Sequence, residues 1–137
     1  MLNRHSVVPL TGYLAGQGGR NEEGSFTLTA TGFSGGAPSG TTKYIRVGSL
    51  VLLTIPAIFG TSNATSFTLG TIPAALRPAS TQRTPSIQVT DNNVLVHGTV
   101  SIGTNGVITL GNGIVEGLFT AVLTKGISAV TLVYSLA

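Results

Sequence analysis

The chain has four acidic side chains that could do acid–base chemistry: Glu22, Glu23, Asp91 and Glu116. Catalysis by a carboxylate pair needs two such groups placed around one substrate. Glu22 and Glu23 lie in a glycine-rich N-terminal segment, and Asp91 opens an Asp-Asn-Asn turn. Glu116 falls in a predicted strand, where solvent or a basic side chain is its simplest partner. The sequence therefore predicts no catalytic residues and favours a protein that is not an enzyme.

Metal and cofactor chemistry find equally little support in the residue types. There is no cysteine, and neither His5 nor His97 has a second ligand two or four residues away. Three copies of His97 could converge only where three chains share an axis. The glycine-rich run 16–19 lacks the preceding strand and the Gly-Lys-Ser/Thr signature of a phosphate-binding loop. We expect no metal and no cofactor.

The composition indicates assembly. Of the 137 residues, 42% are hydrophobic and 8% are charged, and the mean hydropathy is +0.42. An average globular domain carries about 25% charged residues, so this chain cannot cover its surface with charge. Large exposed apolar patches usually mark interaction sites. We therefore expect apolar surface to be buried against further copies of the chain.

The basic and apolar residues argue against two other kinds of partner. The net charge of +3 comes from seven scattered Lys and Arg side chains, whereas nucleic-acid-binding proteins cluster theirs. The longest apolar stretch, 47–59, is interrupted by Gly48, Ser49, Thr54 and Pro56. It is far shorter than the ~20 residues of a membrane-spanning helix. We expect no nucleic-acid partner and no membrane insertion.

Alternation with a period of two residues organises most of the chain. The stretch 94–102 alternates over its whole length, and Asn105-Gly106 favours a tight hairpin turn. The run 49–55 is nearly all apolar, which predicts a central strand covered on both faces. Turn residues recur every eight to twelve positions, which is typical of an all-β sandwich or jelly roll. The predicted strands are 25–32, 42–47, 49–55, 66–72, 86–90, 94–102, 107–110, 114–124 and 127–136.

The prediction is thus an all-β protein, an antiparallel jelly-roll or β-sandwich of about eight or nine strands over residues 25–137. Residues 1–24, rich in glycine and without periodicity, are predicted to form an extended N-terminal arm. The arm carries an apolar patch predicted to dock on a partner: Val7, Val8, Pro9 and Leu10. Side chains in the strands that suit the core or a trimer interface are Tyr44, Val51, Leu53, Leu132 and Tyr134. Phe33 and Phe59 border loops and are the aromatic residues most open to a sugar.

Two stretches resemble a known family. The run KYIRVGSLVLLTI at 43–55, followed by FTLGTIP and LRP, resembles the C-terminal head domains of tailed-phage tail fibres and tailspikes. The stretch VLVHGTVSIGTNGVITL at 94–110 is similar to their penultimate hairpin. Ile72-Pro73 stands where that family often has Leu-Pro. The resemblance covers about residues 25–137 and implies a jelly-roll trimer, a fold also used by the small cement proteins of phage heads. It implies no catalytic residues.

Two functions follow from that resemblance. The first is a capsid cement (decoration) protein that bridges major capsid protein subunits on the phage head. The initial methionine, the short arm and the lack of a shaft or coiled coil favour it over a fibre head. The alternative is the receptor-binding head of a tail fibre or tailspike that contacts host surface glycan through the turns at 32–40, 60–64 and 91–93. In both, the protein is made in the host cytoplasm and lies on the surface of the virion. A polysaccharide depolymerase is disfavoured because the acidic residues are scarce.

Overall fold

The computed structural model describes residues 21–137, which form ten β-strands and one 3₁₀ turn at Ala74–Leu76. No α-helix lies in this range. The strands are β1 (Asn21–Thr29), β2 (Ser39–Val47), β3 (Leu50–Ile55), β4 (Ile58–Thr61), β5 (Thr68–Thr71), β6 (Gln82–Asp91), β7 (Val94–Ile102), β8 (Val107–Asn112), β9 (Thr124–Ile127) and β10 (Val130–Ser135).

The strands form two antiparallel sheets. One has the order β1-β2-β3-β10, and the other has the order β4-β9-β6-β7-β8-β5. Strands β3 to β10 pair from the outside inward, as β3 with β10, β4 with β9, β5 with β8 and β6 with β7. This nested pairing is that of one long hairpin rolled into a two-sheet sandwich, the jelly roll. The predicted fold class is confirmed, and the hairpin β1–β2 extends the smaller sheet.

The core lies between the sheets because each strand turns alternate side chains inward. Val51, Leu53 and Ile55 of β3 are fully buried, and their neighbours Leu50 and Thr54 are exposed. Leu132, which lies opposite Leu53 in the register of β10 with β3, is also buried. Alternation therefore builds the core in both strands, although the sequence predicted 49–55 to be covered on both faces.

β1 begins earlier than the sequence indicates. Its pairing with β2 continues as far as Asn21 opposite Val47, so residues 21–24, assigned above to the arm, belong to a strand. Gly24 continues the strand opposite Tyr44. The ring of Tyr44 occupies the space into which a Cβ at position 24 would project. Residues 1–20, and with them the patch at Val7, Val8, Pro9 and Leu10, lie outside the described part of the chain.

The predicted strand 114–124 is wrong. Residues 113–123 form turns and irregular backbone, and only Thr124–Ile127 is a strand. The chain reverses where Gly117 forms an isolated bridge back to Asn112, and Glu116 adopts a left-handed backbone with φ of 57°. The sequence missed two strands: β4, because Gly60 and Thr61 were assigned to a turn, and β9, because Lys125 and Gly126 fall between the predicted strands 114–124 and 127–136.

β6 is longer than predicted and contains Pro85. The register of β6 with β7 shifts between Thr84 and Ile87, and Ser86 has a φ of 61°. Proline lacks the N–H that a strand donates to its neighbour, so a bulge at this point lets the pairing resume beyond it. The strand therefore begins at Gln82 and not at the predicted position 86.

Gly126 in β9 provides a test of this packing. Its φ is +155°, and a Cβ at this position would collide with the carbonyl oxygen of Ile58 in the neighbouring strand. We expect Gly126→Ala to lower the free energy of unfolding by at least about 2 kcal/mol, measured by chemical denaturation. The matched control is Gly35→Ala, where a Cβ meets nothing within 4 Å. A Gly126→Ala protein as stable as that control would contradict the pairing of β4 with β9.

Candidate interaction surfaces

The residues predicted for the core or a trimer interface lie mostly in the core of a single chain. Val51, Leu53, Leu132 and Tyr134 are at most 4% exposed. Tyr44 is partly buried and packs against the same cluster. A side chain that is already buried has no surface to offer a second chain, so of the two predicted roles, core or interface, these four residues have the role in the core. The surface available to another copy lies on the opposite face of the same strands.

That opposite face carries apolar side chains that are exposed to solvent. We call it the apolar sheet face, and it consists of Ile45, Val47, Leu50, Leu52 and Val133. Ile45, Leu52 and Val133 are cross-strand neighbours, and so are Val47 and Leu50. Leu52 is half-buried, Val133 is 57% exposed and the other three are more than 40% exposed. The run 49–55 was predicted to be covered on both faces, but within residues 21–137 it is covered on one.

The apolar sheet face is concave at its β1 end. A groove of about 510 Å³ runs across it, with Ile45 and Leu52 among its lining residues. Glu23 and Lys43 provide one acid and one base in the same groove. An apolar floor with a few charges at its rim is the pattern of a protein–protein interface.

A second group of exposed apolar side chains lies on the 113–123 segment and the start of β7. Val115 is 89% exposed, and the others are at least half exposed. We call this group the apolar loop residues: Val94, Leu95, Ile114, Val115, Leu118, Val122 and Leu123. The sequence predicted that those at 114–123 belong to a strand.

Asp91 holds this segment in place. It is only 5% exposed and accepts hydrogen bonds from Asn112 Nδ2 at 2.7 Å, Thr120 Oγ1 at 2.8 Å and the Thr120 N–H at 3.1 Å. Asn93 accepts a further bond from the Thr124 N–H at 3.1 Å. Asp91 is thus a structural anchor and not an open turn residue. Its carboxylate is therefore not available for the contact with host glycan that was predicted at 91–93.

Lys125 fixes the far end of the same segment. Its side chain is fully buried, and Nζ donates to the carbonyl oxygens of Ser62 at 2.7 Å and Val122 at 2.9 Å. A buried ammonium is costly unless it is hydrogen-bonded, so this contact ties the 113–123 segment firmly to the β4–β5 connection. No local signal in the sequence indicated it, since Lys125 looked like one of several scattered surface bases.

Glu116 takes part in a polar cluster on the outer face of the larger sheet. Its Oε2 lies 2.8 Å from Nη2 of Arg83, and its Oε1 accepts a hydrogen bond from Ser101 Oγ. Of the two partners that the sequence left open for Glu116, solvent and a base, the structure shows a base. The cluster lies in a groove of about 430 Å³, which we call the polar groove. Its lining residues are Thr65, Ser66, Thr81, Arg83, Ser101, Gly103, Asn105, Val107, Thr109, Leu110, Glu116, Gly117 and Leu118.

The remaining candidates are not brought together. His97 is exposed on β7, opposite Gln88, and His5 lies outside the described residues. Across 21–137 no three His, Cys, Asp or Glu side chains are grouped to hold a metal ion. Phe33 packs edge-on against Phe67, with their ring centroids 4.9 Å apart. Phe59 is 42% exposed and lies beside the glycine-rich 35–38 turn. Within the same range, no helix is long and apolar enough to cross a membrane.

Comparison with known proteins finds likeness at the level of structure alone. No family model matches the sequence, and no curated protein matches it. The chain is similar to the crystal structure of a reovirus attachment protein, sigma1, in complex with α-2,3-sialyllactose, with a TM-score of 0.48 and 14% sequence identity. The match covers 85% of this chain and 65% of that one, so this chain spans less than two thirds of its length. The fold assignment above comes from the strand pairing of this chain itself.

The stability of the core depends on pH through Tyr134. Its hydroxyl donates to the Leu76 carbonyl oxygen at 2.8 Å, and burial raises the pKa of Tyr134 to about 12, from 10.0. The folded state therefore keeps a proton that the unfolded state loses above pH 10. The contribution of Tyr134 to the free energy of unfolding is complete below pH 10 and is lost as the pH rises toward 12.

We expect the free energy of unfolding to fall by about 2–3 kcal/mol between pH 10 and 12 through this group. Urea denaturation at several pH values measures it, with Tyr134→Phe as the comparison. The variant should be less stable at neutral pH by about 1–3 kcal/mol, because the Leu76 carbonyl loses its donor. The two stability curves should then approach each other as the pH rises, and curves that stay parallel would contradict this assignment.

Proposed function

We propose that this protein is a non-enzymatic structural protein of a phage virion. Specifically, it would be a homotrimeric cement (decoration) protein that stabilises the head by bridging major capsid protein subunits. The observation that carries the proposal is the presence of two separate groups of exposed apolar residues, one on each sheet of the sandwich. A cement protein needs two kinds of protein contact, one with its own copies and one with the shell.

The apolar sheet face suits contact between copies. Ile45, Leu52 and Val133 form a row across three adjacent strands, so a second chain can cover them with one flat contact. Burying this row removes apolar area from water at about 25 cal/mol per Å². Glu23 and Lys43 in the adjoining groove offer charges of both signs to a neighbouring copy.

The apolar loop residues suit a contact with another protein. Five of them sit on the 113–123 segment, which Asp91 holds through Asn112 and Thr120 and Lys125 holds through Val122. A pre-organised segment loses little conformational entropy on binding. A partner that exists only in the assembled shell would then be stabilised in that form by mass action.

A receptor-binding head is the second candidate, and the polar groove favours it. A groove lined by hydroxyl, amide and guanidinium groups is suited to a polar ligand, and none of its lining residues belongs to the apolar sheet face. In this function the protein would bind host surface glycan and adsorb to host cells when purified.

The oligomeric state tests the apolar sheet face. The wild-type protein should be a trimer by light scattering at micromolar concentration, and Val133→Glu should be a folded monomer, because it places a charge at the most exposed position of that face. The matched control, Gln88→Glu, introduces the same side chain at an exposed position of β6 and should remain trimeric. A monomeric wild type, or a trimeric Val133→Glu protein, would contradict the assignment of this face.

Binding to the capsid tests the apolar loop residues. Trimers should bind expanded shells of the major capsid protein encoded with this protein, and should raise the temperature at which those shells disassemble. Val115→Glu should stay trimeric and yet bind the shells at least about tenfold more weakly, since a charge replaces an exposed apolar contact. Cryo-electron microscopy of the virion should place the trimers on the head. Trimers that bind no shell and occur only on the tail would overturn the cement function.

A further inference from the structure

We propose that the polar groove is a carbohydrate site that holds a neutral sugar residue between Arg83, Glu116 and Thr109. The inference rests on the second candidate function and gives it a location and a class of ligand. It does not depend on the contact between copies, because none of the apolar sheet face residues line the groove.

The floor of the groove is a cross-strand row of polar side chains. Arg83 of β6 lies opposite Ser101 of β7, and Ser101 lies opposite Thr109 of β8. Neighbouring strands are about 4.8 Å apart, which places three polar groups along a line of about 10 Å, long enough for a sugar ring and its hydroxyl groups. The sheet is rigid, so these groups are positioned before any ligand arrives.

One wall of the groove is the turn that carries Glu116. This turn is pressed onto β8, since a Cβ on Gly111 would collide with the backbone of Glu116. Glu116 has a left-handed backbone, which is unfavourable for a residue other than glycine. Its carboxylate bonds with Arg83 and Ser101 offset that strain. Strained residues that the surrounding structure holds in place are typical of ligand sites.

Many polar groups in the groove are available to a ligand. Among residues 21–137, the hydroxyl groups of Thr65, Ser66, Thr81 and Thr109 make no hydrogen bond. The Arg83 side chain is 67% exposed and uses one of its N–H groups for Glu116. The volume of about 430 Å³ lies within the range of about 300–1,000 Å³ that is usual for small-molecule sites. A ligand with several hydroxyl groups can pair with such a set.

The charge of the site selects a neutral sugar. Arg83 and Glu116 neutralise each other, so the groove offers one strong donor and one strong acceptor with no net charge. Two adjacent sugar hydroxyls can accept from the guanidinium and donate to the carboxylate. A sugar with its own carboxylate would meet Glu116 and be repelled. Leu118, exposed at the rim, provides an apolar surface for the C–H groups of the ring.

Saturation-transfer NMR on the intact protein tests the site. The probes are neutral methyl glycosides of glucose, galactose, mannose and N-acetylglucosamine, together with glucuronic acid as the acidic probe, all at millimolar concentration. We expect at least one neutral glycoside to bind with a millimolar Kd and the acidic sugar to bind more weakly. Absence of any signal, or stronger binding of glucuronic acid, would overturn the proposal.

Variants locate the binding. Thr109→Val keeps the shape of the side chain and removes its hydroxyl, and Arg83→Gln removes the guanidinium; each should weaken binding at least about fivefold. The matched control is Thr27→Val, an exposed threonine on β1 of the other sheet, which should bind as the wild type does. Groove variants that bind like the wild type would overturn the location.

Adsorption to host cells separates the site from the second candidate function. If the protein adsorbs to host cells and the groove variants adsorb equally well, the receptor function stands and the groove is not the site. If neutral sugars bind in the groove and the protein does not adsorb, the sugar site stands and the receptor function fails.

Discussion

The constraint on which this structure depends is the nested pairing of β3 with β10, β4 with β9, β5 with β8 and β6 with β7. It brings the two ends of the 50–135 stretch together and closes the sandwich. Because side chains alternate along each strand, the pairing also fixes which residues leave the core. Leu53 and Leu132 meet inside, and their neighbours Leu52 and Val133 must meet outside. The apolar sheet face is therefore a direct consequence of the same register that builds the core.

The larger sheet depends on polar contacts for its most irregular part. The 113–123 segment is not part of a strand ladder. Isolated backbone hydrogen bonds, such as that from the Phe119 N–H to the Thr65 carbonyl oxygen at 2.9 Å, hold it together with polar side chains. Asp91 binds it near Thr120, and Lys125 binds it at Val122. Phe119 is turned into the core, where its ring lies 4.8 Å from that of Phe67. With its polar groups satisfied and Phe119 buried, the segment can carry exposed apolar side chains without collapsing onto the sheet.

The sequence was informative where local pattern and fold agree. Alternation located the strand 94–102 to the residue, and the apolar run 49–55 placed Val51 and Leu53 in a strand as candidates for the core or a trimer interface. It failed at 114–124, because an irregular segment tied down by Asp91 has the same apolar composition as a strand. The pairing of Arg83 with Glu116 and the burial of Lys125 were equally out of reach. Each joins residues that are distant in the chain, and nothing near them in sequence distinguishes them from surface charges.

The positions of the surfaces make the proposed contact between copies compatible with binding in the polar groove. The outer faces of the two sheets in a sandwich point in opposite directions. If copies of the chain pack through Ile45, Leu52 and Val133, the smaller sheet of each copy turns toward the centre of the assembly. The larger sheet then faces outward, and the polar groove around Arg83 and Glu116 stays open to solvent. Self-association therefore removes the apolar sheet face from water and at the same time presents several copies of the groove, so that weak binding at one copy would be strengthened by multivalency.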